Sequence, residues 1–104
     1  MPTNETHQVY SEAPRTDIYE NQADFLLLLD LSGVSLKDLS IQSQQDQLTI
    51  EGRRDEQFRY RRSFTMPSRV ETDKISAQFK NGVLEVRIPK SEEVKPRAIE
   101  VTSA

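Results

Sequence analysis

The segment 75–90, ISAQFKNGVLEVRIPK, restricts the fold more than any other part of this chain. Ile75, Ala77 and Phe79 alternate with polar residues, and so do Leu84, Val86 and Ile88. That period of two belongs to strands with one buried face. Between the two runs stands Asn81-Gly82, the dipeptide best suited to the positive φ of a tight reversal. Pro89 then stops the second strand, because it has no amide hydrogen to give to a ladder. A hairpin of this kind does not bury its own apolar face. The remaining apolar segments must cover it.

Those segments follow the same rhythm. Leu39, Ile41 and Ser43 alternate with Ser40 and Gln42, and Leu48, Ile50 and Gly52 alternate with Gln47, Thr49 and Glu51. Phe58, Tyr60, Arg62, Phe64 and Met66 share one face of a longer run, and Pro67 closes it. Residues 23–31, ADFLLLLDL, carry leucine on both faces, which predicts a central strand or one covered on both sides. Ser32-Gly33 ends this run too soon for a helix. Residues 16–20 alternate weakly and suit an edge strand, and residues 35–38 suit a single turn. About seven to eight short antiparallel strands with turn signals between them predict an all-β, immunoglobulin-like sandwich. The sandwich is expected over residues 14–90. A polar, flexible N-terminal arm is expected over 1–13 and a C-terminal extension over 91–104.

Composition excludes several kinds of chemistry. The chain has 104 residues, no cysteine, and one histidine, His7, which lies in the polar arm. Disulfides, thiolate metal sites, cysteine nucleophiles and multi-histidine sites are therefore not expected. No phosphate loop or nucleophile elbow occurs, and no two carboxylates stand out as a catalytic pair. The reading is a non-enzyme without cofactor or metal. No apolar run approaches the ~18 residues of a membrane span, and no signal peptide is evident. The cytoplasm is the expected compartment. Net charge is −3 with both signs mixed. Arg53, Arg54, Arg59, Arg61, Arg62 and Arg69 surround Phe58, Tyr60 and Phe64. Alternation sends the aromatics and most of the arginines to opposite faces, which spoils a stacking platform for nucleic acid. Arg62 alone among them is predicted inward, where a guanidinium needs a carboxylate or carbonyl partner.

In chain order, the motifs resemble those of the small heat-shock proteins of the α-crystallin family. Ala77 to Leu84 matches A-x-x-x-N-G-V-L, with Asn81, Gly82, Val83 and Leu84 as the signature turn. PRTDIYE at 14–20 resembles the domain opening, and DLSGV at 30–34 resembles D-L-P-G-V with serine at position 32. LTIEG at 48–52, RSFTMP at 62–67 and IEV at 99–101 complete the series.

The resemblance implies an ATP-independent holdase that binds partly unfolded proteins and prevents their aggregation. It implies a groove flanked by the strands at 39–43 and 75–79, with Leu39, Ile41, Ile75, Ala77 and Phe79 as lining candidates. It also implies that Ile99 and Val101 anchor the C-terminal segment in the groove of a neighbouring subunit. Two departures bear on assembly. The arm is short and polar, and only residues 53–57 stand where bacterial-type members carry a loop long enough to exchange a strand. A small oligomer is expected, with direct pairing along the 58–66 strand edge and Arg62 structural or at an interface. The alternative is a non-enzymatic interaction module on the same sandwich. It would either co-assemble with a longer small heat-shock protein or act as a CS-type co-chaperone.

Overall fold

The structure, a computed structural model, describes residues 9–91 and 98–103. The rest of the expected arm, with His7, and most of the expected linker before Ile99 lie outside the described residues. Eight strands run in the order β1 (Tyr10–Glu12), β2 (Thr16–Glu20), β3 (Asp24–Asp30), β4 (Leu39–Gln44), β5 (Gln47–Arg53), β6 (Phe58–Thr65), β7 (Ser76–Lys80) and β8 (Val83–Pro89). They form two four-stranded sheets, β1-β6-β5-β4 and β2-β3-β8-β7. This is the all-β sandwich that the alternating pattern predicts.

The inward residues of the two sheets meet in one core. Leu29, Leu31, Leu48, Ile50, Leu84 and Val86 are fully buried, and Leu27, Val34, Met66 and Ile88 join them. Burial of each large side chain contributes about 1.5–3 kcal/mol, which explains why these positions fix the register of every long strand. The hairpin β7–β8 turns at Asn81 (φ 52°) and Gly82 (φ 77°), both left-handed as the dipeptide predicts. The Gly82 carbonyl accepts a bond from the Leu31 amide at 2.7 Å and so ties the turn to the end of β3.

One expectation is corrected. Residues 10–12, assigned to the flexible arm, form β1, which pairs parallel to β6 with Tyr10 beside Phe58 and Glu12 beside Tyr60. The sandwich is therefore not wholly antiparallel. All three β1 residues are exposed, so this strand is held by backbone bonds that leave no hydropathy pattern. Strand β3 is central in its sheet, the first of the two placements expected for it, and packs one face on the core. Leu26 and Leu28 sit half-buried on the outer face, paired with Tyr19 and Asp17 on β2 and with Arg87 and Glu85 on β8.

Polar contacts hold one end of this sheet. Arg87 Nη1 donates to Asp24 Oδ2 at 2.8 Å, joining β8 to β3. The buried Lys90 Nζ donates to Glu20 Oε2 and to the Asn21 carbonyl, each at 2.8 Å, and lies 4.9 Å from the Phe25 ring centre. The Arg87 guanidinium holds the Asp24 carboxyl below the usual aspartate value of 3.8. A carboxylate lowered in this way stabilises the fold above the unfolded value and loses that contribution as pH falls through the folded one. Asp24→Asn should therefore lower the urea midpoint at pH 7, with the deficit closing as pH is taken below about 4. Urea titrations of both proteins across pH 3–7 measure it.

Candidate functional site

A sandwich of two open sheets ends in edge strands, and two of them, β4 and β7, lie on the same side here. Each is the outer arm of a tight hairpin. Gln44 and Gln47 close the β4–β5 turn, and Lys80 and Val83 close the β7–β8 turn. In a two-residue hairpin the closing pair exchanges both its backbone bonds, and the alternate residues point away from the partner strand. Ile41 and Ser43 on β4, and Ala77 and Phe79 on β7, thus direct backbone groups outward. Such groups form a ready template for another strand.

Between the two lips lies an open cavity of about 280 Å³, lined by Ile41, Ser43, Leu48, Thr72, Ile75, Ser76 and Ala77. Three of the five predicted lining residues, Ile41, Ile75 and Ala77, are brought together there. Leu39 and Phe79 lie beyond it on the same two strands, half-buried against the core. Leu39 borders a second cavity on the outer face of its sheet. Ser43, Leu48, Thr72 and Ser76 line the first cavity as well and are not among the expected residues. Leu48 reads in sequence as an ordinary core leucine, and its place on the groove floor follows only from the register Ser43–Leu48.

The groove walls combine apolar side chains with edge backbone that no strand among the described residues pairs. An extended segment with alternate apolar residues can satisfy both at once. Ile99 and Val101 form such a segment, and they are 85% and 90% exposed. They do not pack on their own domain.

The far side of the sandwich is closed differently. Arg62 points inward from β6 as predicted and donates from Nη1 to the Pro14 carbonyl at 3.3 Å, with its guanidinium 4.9 Å from the Phe64 ring centre. Its partner is a carbonyl rather than a carboxylate. Pro14 is buried where the chain crosses from β1 to β2, and its carbonyl also accepts from Thr16 Oγ1 at 2.9 Å. Phe58, Tyr60 and Phe64 are half-buried, while Arg61 is exposed on the other face and bonded to Glu51 Oε1 at 3.0 Å. In the turn, Val83 remains 42% exposed and Leu84 is 1% exposed. Among the described residues no group of acidic or histidine side chains could hold a metal ion. Among them also, no helix is long and apolar enough to cross a membrane.

Comparison with known proteins fits this geometry. Residues 17–102 match the Hsp20/alpha crystallin family. A probable 15 kDa heat shock protein of Leptospira interrogans is 42% identical, with 88% of this chain and 79% of that protein covered. Small heat shock protein C2 of Rickettsia felis is 35% identical, with 85% and 67% covered. A small heat-shock protein from Xylella fastidiosa, whose crystal structure reveals a distinct high order structure, superposes with a TM-score of 0.72. It is 32% identical, with 88% of this chain and 97% of that one covered.

Ile41→Ser combined with Ala77→Ser should halve or more the fluorescence of a bound apolar dye such as bis-ANS. The thermal midpoint should fall by only about 4–8 °C, as expected for loss of roughly 1 kcal/mol from a domain of this size. Dye titration and calorimetry together measure this.

Proposed function

Because the chain belongs to the Hsp20/alpha crystallin family, we propose that it is an ATP-independent holdase whose β4–β7 groove takes extended apolar segments of partly unfolded proteins. The observation that carries this reading is the coincidence of an apolar cavity with outward backbone groups on both of its lips. Two side-chain anchors contribute about 1.5–3 kcal/mol each before the cost of association is met. Contacts of that size form and release readily, as holding a client without covalent chemistry or nucleotide requires. A cysteine-free chain with a mixed-charge surface suits the reducing cytoplasm, which is the compartment we assign to it.

The same groove is proposed to take Ile99 and Val101 of a neighbouring copy. Tail and client then compete for one site, and assembly regulates its exposure. Ile99→Ala with Val101→Ala should lower the weight-average mass seen by light scattering while leaving the β signal in circular dichroism unchanged.

A second contact between copies is proposed along β6. The Tyr10 amide donates to the Gln57 carbonyl, and the Met66 amide donates to the Asp46 carbonyl. Odd-numbered residues of β6 therefore direct their backbone outward and even-numbered ones direct it at β5. The ladder with β1 ends at Tyr60, and among the described residues no strand lies beside Ser63 and Thr65 on that edge. Two copies meeting antiparallel about Ser63 would exchange its amide and carbonyl reciprocally. Ser63→Pro removes that outward donor and no donor to β5. It should therefore reduce self-association without unfolding the domain.

The test of the holdase reading is heat-induced aggregation of an unrelated protein without ATP, followed by light scattering. Suppression near equimolar ratio is the expected result. No suppression by this chain alone would contradict the reading and favour a partner role beside a longer relative.

A further inference from the structure

Along its strands, the outer face of the sheet containing β4 divides into two chemically different parts. At the β4–β5 turn end the cross-strand rows are uncharged: Gln42–Thr49–Ser63 and Gln44–Gln47–Thr65. Gln47 Nε2 donates to Thr65 Oγ1 at 2.9 Å, and Thr49 Oγ1 and Ser63 Oγ lie 3.2 Å apart.

At the other end the charges are unbalanced. Arg53 on β5 stands directly opposite Arg59 on β6. Like charges in that position repel. Among the described residues neither has a carboxylate within ion-pair distance. Both line a cavity of about 310 Å³, together with Lys37, Asp38, Leu39, Ser40 and Glu51. Of its two carboxylates, Glu51 is already bridged to Arg61 at 3.0 Å. The cavity is net positive, and it opens at the start of β4, beside the edge proposed above to take the tail.

We infer that this cavity receives the Glu100 carboxylate of a second copy's C-terminal segment and so sets the register of that segment on β4. The inference rests on the groove reading. Residues opposite one another on adjacent strands place their side chains on the same face, whichever way the added strand runs. With Ile99 and Val101 beside Leu39 and Ile41, Glu100 falls opposite Ser40, whose small side chain leaves the cavity open. With the tail two residues further on, the anchors lie beside Ile41 and Ser43, and Glu100 meets the uncharged row at Gln42. The first register sets the tail's one carboxylate against the excess positive charge of the cavity and places both anchors beside apolar residues of β4. The second sets that carboxylate on an uncharged row and one anchor beside Ser43.

The test uses a fluorescently labelled peptide of residues 98–104, AIEVTSA, and the full chain carrying Ile99→Ala and Val101→Ala, so that its own tail does not compete. Binding is read by anisotropy. The peptide should bind saturably. Its Glu100→Lys form should bind about fivefold or more weakly at low salt, with the gap closing near 0.5 M salt, as screening requires. Arg53→Glu with Arg59→Glu in the protein should reverse the preference. If that variant does not fold by circular dichroism, Lys37→Glu, on an exposed turn, should narrow the gap. Equal binding of both peptides at low salt would overturn the inference and leave the groove reading standing. An unchanged preference in a folded charge variant would also overturn it. Binding of neither peptide would overturn both.

Discussion

Packing of Leu84, Val86 and Ile88 on β8, with Leu27 and Leu29 on β3, against Leu48 and Ile50 on β5 is the interaction on which the rest of the structure depends. These residues lie on interior strands of their sheets. Their burial spends the strongest apolar positions of the chain on the middle of the sandwich. The weaker patterns, Leu39–Ile41 and Ile75–Ala77, are left for the edges. An edge strand with a half-buried apolar face and unpaired backbone is a liability in an ordinary domain. In the proposed holdase it is the working surface, and the rigid interior is what keeps it in place.

Each closed or blunted feature of the molecule sharpens this contrast. Arg62 and Pro14 shut the side of the sandwich opposite the groove, and β1 covers part of the β6 edge. Lys90, held by Glu20 and Asn21 at the end of β8, fixes the point from which the chain leaves the domain toward Ile99. The groove remains as the place where apolar lining and outward backbone coincide. Charge then refines what hydrophobic contact leaves unspecific. Two isoleucine- or valine-sized anchors fit several registers on β4, while the Arg53–Arg59 couple, without a carboxylate partner among the described residues, is proposed to distinguish one of them.

Much of this was legible in the residues. Period-two alternation located the buried faces of β5, β6, β7 and β8, and Asn81-Gly82 marked the turn, because side-chain burial and positive φ leave direct traces in residue type. The edge strand β1 left none: Tyr10, Ser11 and Glu12 are exposed, and they pair through backbone that every residue carries. Leucine on both faces of β3 fits its central place in the sheet, where Tyr19 and the stems of Arg87 and Glu85 give Leu26 and Leu28 partial shelter. Of the groove, Ile41, Ile75 and Ala77 were named in advance. Leu48 was not, since the sequence distinguishes a core leucine from a groove floor only through register. The Arg53–Arg59 opposition was equally hidden, because it appears only once β5 and β6 are paired.

Hydrogen exchange resolved to single amides tests the central claim most directly, on the full chain with Ile99→Ala and Val101→Ala, with and without a heat-unfolded client bound. The account predicts that client slows exchange at Ile41, Ser43, Ala77 and Phe79 and leaves Leu27, Ile50 and Val86 unchanged. Client bound with no added protection on β4 and β7, or with protection confined to the β6 edge, would contradict it.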